Sequence, residues 1–223
     1  MLEKSEILFD KLNRQWLILS AILVPVLSIL ISIVLYAIND ASFSFVTHYL
    51  SDLGAGPNGV GLVFSVAMIL TSAVTIFFFL HLSTYLINKK GNKYFILIAF
   101  VSGLISSIGT FFVGIFPINI YLDLHNFSAS FFFLGGFAYC LFFAISELTT
   151  PRISKYQALS GFVVFFLFFV FIFYSSINYF DPELCVIESY ISEWILFFAL
   201  ISWIIEHEIF IFKAEKKNNN LSL

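Results

Sequence analysis

Long runs that are apolar on every face alternate along the chain with short breaks that carry polar and turn-forming residues. The runs fall at residues 16–38, 60–87, 94–116, 125–148, 158–180 and 190–212. Each can cross a hydrocarbon core of about 30 Å as an α-helix rising about 1.5 Å per residue. The breaks include Ser51-Asp52-Leu53-Gly54-Ala55-Gly56-Pro57-Asn58-Gly59, Asn88-Lys89-Lys90-Gly91-Asn92-Lys93 and Thr149-Thr150-Pro151-Arg152, whose Gly, Pro and Asn content marks turns. A membrane β-barrel would need short segments alternating apolar and polar, a pattern these runs lack. The pattern therefore predicts an all-α, polytopic integral membrane protein, a bundle of six transmembrane helices. No break is long enough for a second unit, so residues 1–223 are expected to form a single transmembrane domain.

Composition changes the picture by excluding alternatives. The chain is 60% hydrophobic and 11% charged, with 31 Phe and a mean hydropathy of +0.98, which does not supply the surface of a soluble domain. Nothing in it points to nucleic acid, and membrane lipid is its expected surrounding partner. The first run, although preceded by Lys11 and Arg14, is longer than a signal-peptide core and lacks a small-residue cleavage site, so it reads as a retained span.

Charge adds orientation. The eleven Lys and Arg residues lie in the N-terminal tail (Lys4, Lys11, Arg14), the second connection (Lys89, Lys90, Lys93), the fourth (Arg152, Lys155) and the C-terminal tail (Lys213, Lys216, Lys217). The other three connections have none. Positive residues favour the cytoplasmic side, so both termini are expected there, in a multi-pass protein of the cell membrane.

Candidate chemistry gathers at the opposite ends of the helices. Thr47-His48-Tyr49-Leu50-Ser51-Asp52-Leu53-Gly54, after the first run, is too apolar for a free loop and too polar for a span. It is expected to fold back onto the bundle with Ser51 and Asp52 directed inward, while Asn58 or Gly59 caps the second helix. Asp123-Leu124-His125-Asn126 opens the fourth helix, and Glu188, Ser192 and Glu193 open the sixth. His48, Asp52, Asp123, His125 and Glu193 thus share one membrane level. His125, Ser128, Phe132, Gly135 and Tyr139 fall on one helical stripe, and Gly103, Ser107, Thr110 and Gly114 on another. Small faces permit close approach, so these two helices are expected to pack against each other and to turn His125 into the bundle.

The segment Ser51-Asp52-Leu53-Gly54-Ala55-Gly56-Pro57, the run His125-Asn126-Phe127-Ser128-Ala129 with the following Phe, Gly and Tyr, and the pair Glu193-Trp194 resemble, in order and spacing, motifs of the six-helix DRAM superfamily. Within it the chain is most similar to the prokaryotic family of unknown function numbered 998. It departs from the family pattern at Thr47-His48, where proline is usual, and at Asn58, where a second proline often stands. The resemblance implies the six-helix fold and carries no chemistry.

Two readings of the polar cluster follow. In the first, His48, Ser51, Asp52, Asn58, Asp123, His125, Asn126, Ser128, Glu193 and Trp194 recognise a lipid or other amphiphile, or a partner protein, and the ionisable groups pin the folded-back segment to the helix ends. In the second, His125, Asp52 and Glu193 form a catalytic centre of an intramembrane lipid-modifying enzyme or hydrolase, with His125 as acid/base or ligand. The same three are the candidate ligands of a divalent metal, although no His-Glu-x-x-His signature accompanies them. Oligomeric state is not written in the sequence. At the other ends of the helices, His81 and the run Glu206-His207-Glu208 read as solvated or snorkelling residues.

Overall fold

A computed structural model describes the backbone of residues 14–221 and the side chains of residues 23–214. Among them every regular element is helical. The order is α1 (Arg14–Asn39), a short 3-10 helix (Leu50–Ala55), α2 (Val60–Asn88), α3 (Lys93–Ile115), α4 (Leu122–Thr149), α5 (Lys155–Phe180) and α6 (Val186–Leu221). Among the described residues five helices are long and apolar enough to cross a membrane: Val60–Asn88, Lys93–Ile115, Leu122–Thr149, Lys155–Phe180 and Val186–Ala214. The described apolar part of α1, Leu23–Asn39, is shorter. The basic residues Lys4 and Lys11 lie outside the described residues, as do the side chains of Arg14, Trp16, Lys216 and Lys217.

Local chemistry sets the helix ends. Asn92 and Ser154 stand before α3 and α5, and their side-chain oxygens accept the amides of Tyr94 and Tyr156 at 3.0 and 3.3 Å, satisfying N–H groups that the helix leaves without partners. Gly59 enters α2 at φ +89, a left-handed conformation that suits a residue without Cβ. The neighbouring Asn58 also has positive φ, at 50; its side chain donates to Asn39 Oδ1 at 2.6 Å, so it ties the turn to α1 and does not cap α2.

Helices consecutive in the chain pack side by side, and α6 also meets α1, which closes the six into a ring. The α1–α2, α3–α4 and α5–α6 connections lie at one end, here the cap end, which also carries the 3-10 helix. The α2–α3 and α4–α5 connections, with Lys89, Lys90, Lys93, Arg152 and Lys155, lie at the other, here the lysine end. Large apolar side chains such as Leu62, Leu97, Phe166 and Phe198 are exposed on the outside of the ring, as a surface in contact with acyl chains requires.

α3 and α4 pack against each other and His125 is buried, as expected, but through a neighbouring face of α3. A Cβ added to Gly135 would stand 2.7 Å from Ser106 N and 2.8 Å from Ser102 O, and one on Gly109 would meet Ser128 O at 2.7 Å. The face of α3 that meets α4 is therefore Ser102, Ser106 and Gly109. The stripe of Gly103, Ser107, Thr110 and Gly114 turns partly to α2 instead: Gly103 abuts Phe79, Gly114 abuts Ser65 and Met68, and Ser107 Oγ pairs with Thr75 Oγ1 at 2.9 Å. Both stripes are small, and one residue of helix rotates the face by about 100°, so each neighbour of α3 receives its own small face. On α4, Gly136 faces Phe168 of α5.

Candidate functional site

The segment after α1 folds back over the mouth of the ring. Leu53 is wholly buried, and a Cβ on Gly61 would strike the carbonyl oxygen of Gly54, so the 3-10 helix rests directly on α2. Four bonds from α6 and α5 secure it. Glu193, buried on α6, accepts the Leu50 amide at 2.7 Å through Oε2. Trp194 Nε1 donates to the His48 carbonyl at 3.0 Å, with Phe45 edge-on to the indole at 4.7 Å. The Tyr49 hydroxyl meets Ser189 Oγ at 2.8 Å and accepts from Asn178 Nδ2 at 2.9 Å.

The ionisable groups gather as follows. Asp52 accepts the Tyr49 amide at 2.7 Å, closing the first turn of the 3-10 helix. Burial holds its carboxyl above the usual carboxylate range, against the opposing pull of that N–H and of the nearby His48 and His125. The same desolvation raises the Tyr49 phenol. His125 is 2% exposed; its Nδ1 lies 2.8 Å from the Phe116 carbonyl, an acceptor, so this nitrogen carries the hydrogen. Asp52 is thus in electrostatic reach of His48, His125 and Glu193, and His125, Asp52 and Glu193 are each bonded to backbone. Among the described residues no group of three or more His, Cys, Asp and Glu side chains is placed to hold one metal ion.

Beneath the cap lies a cavity of about 600 Å³. Tyr49, Ser51, His125, Asn126, Asn178 and Glu193 line its polar part, and Phe64, Met68, Phe132, Phe171, Phe197 and Leu200 are among the apolar side chains that line the rest. A seam of hydroxyls from Thr71, Thr75, Ser106, Ser107 and Thr110 also lines it. This volume is within the range of pockets for small organic ligands.

The remaining sequence candidates stand apart from the cavity lining. Asp123 is exposed on the first turn of α4, and Asn58 is exposed in the turn before α2. Ser128 is buried and bonds the Leu124 carbonyl at 2.6 Å, His48 packs its ring on Tyr36 and Phe43, and Trp194 acts on the cap from behind. Sequence reasoning passed over Tyr49, Asn178 and Ser189 as a bonded trio and did not anticipate the hydroxyl seam. The one legible signal was the coincidence of Tyr49 with the folded-back segment.

The lysine end departs from the solvated helix ends expected there. His207 is completely buried and Glu147 and Glu208 nearly so, with His207 Nε2 2.8 Å from Glu147 Oε1 and His81 Nδ1 3.2 Å from Glu208 Oε2. They are not solvated ends. α6 continues to Leu221, so His207 and Glu208 still lie within the helical ring and turn towards α4 and α2, whereas Glu206 is half-buried.

A ring of long apolar helices around a polar-capped cavity defines a polytopic helical membrane protein. The chain belongs to the family described as protein of unknown function DUF998, whose model matches residues 22–205. No curated protein and no solved structure matches it.

Proposed function

We propose that this protein binds a lipid or other amphiphile inside the ring, with the polar part of the ligand under the cap and its apolar part among the phenylalanines. The observation that carries the reading is the cavity itself, which joins Glu193, His125, Asn126 and Asn178 to an apolar wall in one pocket. An amphiphile matches that distribution, because its apolar part desolvates without loss and its head meets donors and acceptors. The backbone bonds of Glu193, Asp52 and His125 favour positioning over turnover. The placement of Asp52 in electrostatic reach of His125 supports a second reading, proton exchange in an intramembrane lipid-modifying enzyme or hydrolase. Docking of a partner protein on the cap is the alternative without a cavity ligand.

In this reading the chain is a single domain crossing the cell membrane six times, with α1 as the sixth span and both termini cytoplasmic. The lysine-free connections at the cap end support that orientation. The likeness of its motifs to the wider DRAM superfamily points the same way.

The test is mass spectrometry of lipids that co-purify with the full chain, repeated for Ala129→Trp, which fills the cavity from α4. Retention of one amphiphile class by the wild type and its loss from the variant is expected. Equal lipid content in both would overturn cavity binding. A ligand chemically altered by wild type but not by His125→Ala, with binding retained, would replace recognition by catalysis.

A further inference from the structure

At the lysine end α6 presents two successive side chains to two different helices. His207 Nε2 lies 2.8 Å from Glu147 Oε1 on α4, and Glu208 pairs with His81 on α2. His207 Nδ1 is 2.8 Å from the Trp203 carbonyl, which can only accept, so Nδ1 carries a hydrogen. A second proton then lies between Nε2 and Oε1, on the ring as an imidazolium or on the carboxyl as an acid. The pair is a one-proton unit whichever atom holds it.

A clamp serving only to tie helices would leave its polar atoms paired. Here Glu147 Oε2, Ser146 Oγ, both ends of the Gln157 amide and Trp203 Nε1 have no hydrogen-bond partner and no surface exposure. These residues are at most 2% exposed. Glu147, Gln157 and Trp203 come from three helices that meet here: a Cβ on Gly161 of α5 would meet Ala144 of α4 at 3.0 Å and Trp203 Nε1 of α6 at 3.5 Å. Gln157 and Glu147 lie one turn further along the same two faces. Buried polar atoms in this state are ordinarily satisfied by ordered water. The set mixes donors (the indole and amide N–H groups) with acceptors (the carboxylate and amide oxygens). Water, which does both, fits it; a bare cation would need acceptors throughout.

We propose that the lysine end holds a second binding site, for a proton and the water that delivers it. His207 and Glu147 share the proton, and Glu147 Oε2, Gln157 and Trp203 Nε1 hold the water. Other titratable groups surround it: Glu206 and Glu208 on α6, Cys140 and Tyr139 on α4, and His81 and Tyr85 on α2. From α5 the facing side chain is the neutral Gln157. The rings of Tyr139 and Trp203 are 5.8 Å apart, and Tyr139 also lines the cavity below the cap.

The Trp203 ring lies 4.4 Å from that of His207, so an imidazolium quenches its fluorescence and the indole N–H reports hydration. The experiment records tryptophan emission of the purified full chain in lipid nanodiscs from about pH 5 to 9, with Trp203→Phe subtracted as background. A reversible loss of emission towards acid is expected. It should vanish in His207→Gln, move by about one pH unit or more in Glu147→Gln, and stay in place in His81→Gln. Gln157→Leu should shift Trp203 emission to shorter wavelength as water leaves. A pH-independent signal, a transition that Glu147→Gln leaves unmoved, or one that His81→Gln moves more would each overturn the proposal. Should the Glu147 and His207 variants not fold, a flat wild-type titration or an unshifted Gln157→Leu spectrum still decides against it.

Discussion

At the cap end the buried carboxylate of Glu193 holds the backbone amide of Leu50, whereas at the lysine end the buried carboxylate of Glu147 holds an imidazole from another helix. The first bond ties a connecting segment to the ring, and the second ties one wall of the ring to another. Tearing the first bond exposes one N–H that water can satisfy once the segment lifts. Breaking the second strands a polar side chain between helices that have nowhere to go. The ring is thus braced at one end and closed at the other by a piece of chain held through separable contacts, an arrangement suited to a site that opens from the cap.

The largest effect expected from this contrast is at the lysine end. Glu147→Leu or His207→Leu alone leaves the remaining partner buried and uncompensated, for which about 3–5 kcal/mol of destabilisation is typical. The double variant, with both groups apolar, should recover most of that loss. Unfolding of the full chain in mixed micelles measures all three. Additive losses in the double variant would show the two side chains to be independent, and the brace would have to be sought in the apolar packing of Phe143, Phe168 and Trp203.

At the cap end the expected effect is smaller and local. Glu193→Leu orphans the Leu50 amide, worth about 1–3 kcal/mol if the segment stays seated, while Glu193→Gln retains an accepting oxygen. Hydrogen exchange at Leu50 should quicken in the Leu variant and hold in the Gln variant, with protection of α2 to α6 unchanged. A loss of protection throughout the helices would erase the distinction between the ends, since the cap would then be part of the same cooperative core.

The same contrast explains what was legible beforehand. Apolar runs of 23 residues or more and the positions of the lysines are properties of single segments, so the helices and the grouping of their connections could be read directly. The folded-back segment was legible because Thr47 to Gly54 fits neither a span nor a loop. Partner choice was not. Ser102, Ser106 and Gly109 are as small as Gly103, Ser107 and Gly114, and only assembly decides which stripe meets α4. Glu147 and His207 are 60 residues apart on helices that are not successive, and a Glu-His-Glu run near the end of an apolar stretch has the look of a solvated terminus. The cavity is a gap between surfaces, and no residue encodes a gap.

The finest test concerns the separability of the cap. Burial raises the Asp52 carboxyl above its unfolded value, so the folded segment prefers the protonated form. The stability that this preference contributes is complete below the unfolded pKa and is lost as pH rises through the folded one. The segment should therefore loosen as pH rises above the ordinary aspartate range, without unfolding of the ring. Asp52→Asn keeps an oxygen for the Tyr49 amide and removes the titration. A nitroxide on Val46→Cys, an exposed position of the segment, in a Cys185→Ser background would report the motion. Mobility rising with pH in the wild type and flat in Asp52→Asn is the expected pair of traces. Mobility that rises equally in both would show that Asp52 does not carry the pH response of the segment.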